Sequence, residues 1–87
     1  MKTLVIEVTR DDIQQGEIES CENCPVARAV KRAIPDQVHV EVLPHEIWIA
    51  YKKREPESHR PKKEVMEFIK QFDAGLPVEP FKFNLYD

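Results

Sequence analysis

Val38-His39-Val40-Glu41-Val42-Leu43-Pro44-His45-Glu46-Ile47-Trp48-Ile49-Ala50-Tyr51 decides the fold. Val38, Val40 and Val42 alternate with His39 and Glu41, and Ile47, Ile49 and Tyr51 alternate with Trp48 and Ala50, with Pro44-His45 between the two runs. Successive strand side chains point to opposite faces, so this period of two predicts an antiparallel hairpin with one buried and one outward row. Upstream, Pro25 suits the first turn of a helix, where its missing N–H costs nothing. Val26, Ala27, Val30, Ala33 and Ile34 recur on one helical face, and Pro35 stops it. Residues 2–9 are β-branched and place Leu4, Ile6 and Val8 on one side of a first strand. Thr9 and Asp12 have the spacing of a capping box, predicting a short helical turn that Gly16 ends in a left-handed conformation. The acidic stretch from Glu17 to Glu22 reads as a surface loop.

Downstream, residues 52–63 combine charge with Pro56 and Pro61 and predict an exposed basic loop. Beyond Pro61, the stripe Val65, Met66, Ile69 and Phe72 predicts a second long helix, with Gly75 at its C′ position and Leu76 folding back on the last turn before Pro77. Phe81, Phe83 and Leu85 alternate with Lys82, Asn84 and Tyr86 as a closing strand. The order β(α)αββαβ is that of a small α+β domain with a ferredoxin-like split βαβ sheet, two helices covering one face. The first and last strands are expected to lie centrally, and Leu4, Ile6, Phe81 and Phe83 to meet the helix stripes. Val5, Glu7, His39, Glu41, Trp48, Ala50, Lys82 and Tyr86 then occupy the open face.

At 87 residues the chain has room for one domain, 1–87, and 41% hydrophobic content is enough for a modest core. No run approaches the roughly 20 apolar residues of a membrane helix, and Met1-Lys2-Thr3 leads into a strand-like segment without a signal-peptide core. A cytoplasmic protein with no membrane partner is expected. The net charge of −3 is polarised: residues 1–25 set Lys2 and Arg10 against six acidic residues, whereas residues 52–63 set six Lys/Arg against Glu55 and Glu57. That pattern argues against indiscriminate nucleic-acid binding and in favour of two charged poles.

Cys21-Glu22-Asn23-Cys24-Pro25 is the one motif with a chemical flavour, because a CxxC at a helix N-terminus can favour a thiolate. About a dozen residues separate it from the first strand, unlike a thioredoxin arrangement, and its acidic flank opposes a thiolate. Cys21 and Cys24 supply two zinc ligands where a structural site needs four, and His39, His45 and His59 are not at finger-like spacing. Redox and zinc readings therefore rank below a structural one, with reduced thiols and no metal. No Ser/His/Asp arrangement or acidic metal cluster appears, and two glycines cannot build a phosphate-cradling loop. Asp11 and Asp12 read as helix N-terminal charges. Neither an enzyme nor a cofactor is expected. Trp48, on the uncovered side of a sheet, either packs under neighbouring chain or awaits a partner.

Three stretches together resemble a family of short bacteriophage and phage-derived bacterial proteins: Asp12-Ile13 with Gly16 after a first strand; Cys24-Pro25-Val26-Ala27 with Ala29; and Phe68-Ile69, Phe72-Asp73, Gly75, Val78, Pro80-Phe81, Phe83 and Leu85. The resemblance spans nearly the whole chain and implies a genomic setting in which a small effector binds a host or defence protein. It carries over no functional residues. The leading expectation is a phage-type accessory protein that binds a protein partner, with Trp48, Tyr86, His39, Lys52, Lys53 and Arg54 as contact residues. The alternative is a nucleic-acid-binding module in which Trp48 and Tyr86 stack bases and the basic loop meets phosphates. Against it, Glu46-Ile47-Trp48-Ile49-Ala50-Tyr51 lacks the Lys/Arg-Gly-aromatic signature, and Glu7 and Glu41 repel phosphate. The sequence leaves homodimerisation through an edge strand or the open face undecided.

Overall fold

The β-branched run before Thr9 forms β1 (Val5–Val8), which buries Ile6 and Val8. In this computed structural model, which describes residues 4–43 and 45–85, α1 (Arg10–Gln15) follows at once. The capping box is present: Asp12 N–H donates to Thr9 Oγ1 at 3.1 Å, and Thr9 N–H donates to Asp12 Oδ2 at 2.9 Å. Gly16 is extended (φ −69°, ψ 153°), not left-handed as the sequence suggests. Its requirement is space, since a Cβ there would lie 2.7 Å from Pro25 Cδ and 2.8 Å from the Asp12 carbonyl oxygen.

Pro25 opens α2 (Pro25–Ala33), whose Val26, Ala27 and Val30 are buried. The hairpin strands are β2 (Gln37–Leu43) and β3 (Glu46–Tyr51). Val40, Val42, Ile47, Ile49 and Tyr51 point into the core as the alternation predicts, but Val38 does not and is 58% exposed. The register shifts between Gln37 and His39, which face Tyr51 and Ala50, so Val38 is the extra residue of a bulge and leaves the inward row.

A further strand, β4 (Glu57–His59), replaces part of the loop expected over 52–63 and pairs antiparallel with β3. It has no apolar residue. Its polar side chains are matched instead: Tyr51 donates to Glu57 Oε1 at 2.5 Å, Ser58 donates to Glu46 Oε1 at 2.6 Å, and His59 Nε2 lies 3.5 Å from Glu57 Oε1. Pro61 just beyond is buried. Next, α3 (Lys63–Asp73) buries Val65, Phe68 and Phe72, so Phe68 takes the place that the sequence stripe assigns to Met66. Gly75 (φ +78°) ends the helix, with its N–H on Phe72 O and that of Leu76 on Gln71 O, both at 3.0 Å. This is the paired bonding of a Schellman cap. Leu76 itself remains 55% exposed and does not fold back as expected.

The last strand, β5 (Phe81–Asn84), pairs antiparallel with β1, bringing Ile6 opposite Phe83. Among the described residues the result is α+β with three helices, a β1–β5 ribbon and a separate three-stranded sheet in the order β2-β3-β4. The hairpin and the antiparallel pairing of the first and last strands match the split βαβ plan, but the expected single sheet with those two strands at its centre does not form: β1 and β5 pair with each other and β3 is the central strand of the other sheet. The sheet is divided because both flanks of the hairpin are taken, β3 by β4 and β2 by loop backbone through Val42 N–H to Cys21 O at 2.7 Å. One hydrophobic cluster joins the two sheets and the helices, with Phe81 bridging Phe68 (4.6 Å between ring centroids) and Phe83 (5.7 Å). Among the described residues no helix is long and apolar enough to cross a membrane.

Candidate functional site

Alternation along β2 and β3 sends Val40, Val42, Ile47 and Ile49 inward, which leaves His39, Glu41, Trp48 and Ala50 as the outward row. Each of these four is half-buried, so the rest of the chain leaves this face partly open. Glu41 lies opposite Trp48, His39 opposite Ala50, and Ser58 flanks Trp48 from β4. The His39 ring meets Trp48 edge-on, with centroids 6.0 Å apart and planes at 66°. Across the strand face, His39 Nε2 is 2.9 Å from Glu41 Oε1 and 3.4 Å from Glu22 Oε1.

Glu22 comes from the loop ahead of α2, and its place follows from backbone bonding. Besides the Val42–Cys21 bond, Lys31 Nζ donates to the Glu22 carbonyl at 2.5 Å and Asn23 N–H to Ser20 Oγ at 3.0 Å. Glu22, His39 and Glu41 thereby present three potential metal donor atoms within 4.8 Å of one another. Sequence spacing reveals only the His39–Glu41 half of this cluster, because Glu22 arrives through a loop.

Lys52 follows the end of β3. With Lys53, Arg54, Val38 and the Pro35–Gln37 turn it lines a groove of about 380 Å³. Lys52 and Lys53 are exposed and form no ion pair with the described residues. Arg54 is engaged otherwise: its guanidinium lies over the Tyr51 ring at 3.7 Å, with Asp36 3.7 Å and Glu57 4.0 Å away. The hydrogen bond from Tyr51, working against the cost of burial, holds the Glu57 carboxyl below its usual range. Arg54 thus braces the β3–β4 connection. Glu7 and Lys82 face each other on the separate β1–β5 ribbon, and Tyr86 lies outside the described residues.

The charged poles are also reshaped. Asp12 is fully buried and takes both guanidinium nitrogens of Arg32, at 2.8 and 2.7 Å, with Arg28 Nε 3.6 Å away and 3.5 Å separating Arg28 from Asp11. Much of the acidic charge near α1 is internally compensated. Burial opposes ionisation of Asp12, but the bonds from Arg32 and Thr9 outweigh it and hold its pKa at about 2.

Cys24 does not carry an activated thiol. It is buried, its Sγ caps α2 by accepting from Ala27 N–H at 3.4 Å, and burial pushes its pKa up. Cys21 is half-exposed, and both cysteines are free. Comparison of the chain with family models, curated proteins and solved structures finds no match.

Proposed function

We propose that this chain is a contact protein whose outward β2-β3-β4 face docks on a protein partner. The observation that carries this reading is Trp48, the single tryptophan, held half-buried in a partly open row with His39, Glu41 and Ala50. A large, partly exposed aromatic is the kind of side chain that anchors an interface. Glu46 lies at the hairpin-turn end of the face, Glu41 directly across from Trp48, and Lys52 and Lys53 follow the opposite end of β3. A partner of opposite polarity would be steered into a single orientation. The resemblance to short phage proteins supports a phage-type accessory role in a bacterial cytoplasm, with a host or defence protein as the partner. Nothing in the face requires catalysis.

The test starts with capture from a bacterial host lysate by immobilised protein, followed by purification of the captured partner and direct titration. Trp48→Ala should raise the Kd at least about 30-fold, the loss of roughly 2 kcal/mol typical of a central aromatic. Equal binding by Trp48→Ala would remove the face from the proposal.

A further inference from the structure

The structure assigns to Glu22, His39 and Glu41 a divalent-metal site of the zinc and nickel class, with one coordination position left for water or a ligand from outside the chain. This inference stands on the geometry of the three side chains and does not depend on the docking reading.

The sequence places His39 and Glu41 two residues apart on one strand, so both project from the same face. The loop bond to Val42 then sets Glu22 across from them. The imidazole nitrogen is 2.9 Å from one carboxylate oxygen and 3.4 Å from the other. An ion with nitrogen and oxygen donors at about 2.0–2.1 Å in tetrahedral geometry keeps those donors about 3.4 Å apart. One imidazole–carboxylate pair already has that spacing, the other needs about half an ångström, and the two carboxylate oxygens lie within 4.8 Å of each other. The Glu41 and Glu22 side chains are 36% and 52% exposed, leaving room for that adjustment.

Charge points the same way. Two carboxylates and a neutral imidazole carry −2, matched to a divalent cation. Among the described residues, neither carboxylate has an arginine or lysine within ion-pair distance; His39 is the partner of both. Elsewhere in this chain, carboxylates in close clusters are met by arginine, as Asp11 and Asp12 are by Arg28 and Arg32. Identity follows from the donors. An imidazole with two carboxylates is too nitrogen-rich and too small a set for calcium, which takes six to eight oxygens, and suits zinc, nickel or copper. Three protein ligands with an open position is the arrangement of zinc sites that exchange a ligand. Cys24 is not a competing donor, because its sulfur is buried and committed to the α2 cap.

The site carries its own reporter. Trp48 packs edge-on against His39, so a paramagnetic ion bound there will quench its emission, and no second tryptophan obscures the signal. Tag-free, full-length protein stripped with chelator should be titrated with Zn²⁺ by calorimetry and with Ni²⁺ by tryptophan fluorescence. The expected result is one ion per chain, with quenching that saturates at the same stoichiometry. His39→Ala should abolish both signals, Glu22→Gln and Glu41→Gln should each weaken binding at least about tenfold, and Cys21→Ser should leave it unchanged. Matching thermal unfolding of the metal-free His39→Ala and parent proteins will show that the fold is retained. Affinity weaker than about 1 mM, or binding that survives His39→Ala, overturns the assignment. Because no partner protein enters the titration, its failure leaves the docking proposal untouched, and the failure of docking leaves this one untouched.

Discussion

Asp12 is the residue on which the N-terminal half turns. It caps α1, receives Arg32 in a two-pronged pair and is sealed from solvent. Its folded-state pKa of about 2 lies below the ordinary 3.8, so the folded state binds this proton less readily than the unfolded chain does. The resulting stabilisation, about 2 kcal/mol, is fully present above about pH 4 and is lost as the pH falls through the folded value. Asp12→Asn should lower stability at neutral pH by about 2 kcal/mol and flatten the acid limb of the unfolding midpoint against pH. An unchanged acid limb would mean that the Arg32 pair contributes nothing. The two glycines separate two mechanisms in the same assay. Gly16→Ala drives a Cβ into the rigid Pro25 ring and should cost about 1–3 kcal/mol. Gly75→Ala meets open space but keeps φ at +78°, so its cost should be about 1–2 kcal/mol, from backbone strain alone. An Asn at position 75 should recover part of the loss, because asparagine tolerates that conformation, whereas an Asn at position 16 should be worse than Ala.

At the scale of elements, what pattern could reveal depended on whether apolar residues marked the face. Period two exposed the hairpin and the terminal strands, and helical spacing exposed α2 and α3, because burial of those rows is what holds them. The β4 strand was invisible for the converse reason: Glu57, Ser58 and His59 are held by Tyr51, Glu46 and one another, contacts between residues up to 12 positions apart. The Val38 bulge likewise depends on register against β3, which no single strand encodes. Trp48 and His39 could be placed on the outward row in advance, but Glu22 could not, since a hydrogen bond from β2 to the loop delivers it. The start of α2 offers a direct check on the cysteines. With Cys24 capping the helix and its thiol pKa raised, little reactive thiolate forms there. Alkylation of the native protein should therefore label Cys21 alone, and Cys24 should react only when denaturant unfolds the chain. Simultaneous labelling of both in native buffer would show that the α2 start opens without global unfolding.

Across the whole molecule, the formal acidic and basic poles shrink once internal pairing is counted. Arg28 and Arg32 compensate Asp11 and Asp12, and Arg54 is tied to Tyr51, Asp36 and Glu57. Lys52 and Lys53, which follow the end of β3, form no ion pair with the described residues and remain to act on something outside the chain. Their separation from Trp48 gives docking a kinetic signature. Exposed charges act at a distance within the Debye length, about 8 Å at physiological salt, and so govern encounter; a desolvated aromatic governs how long the complex survives. Reversing Lys52 and Lys53 to Glu should slow association with the purified partner about tenfold at low salt and have little effect on dissociation. That difference should disappear as salt is raised. Trp48→Ala should do the opposite, speeding dissociation with the association rate nearly intact at every salt concentration. The same lysine reversal also separates protein docking from phosphate binding, where affinity itself falls steeply with salt for any sequence of single-stranded nucleic acid. If stopped-flow traces show the lysine variant altered chiefly in dissociation, the lysines lie inside the interface and the docking face extends into the groove beside Val38.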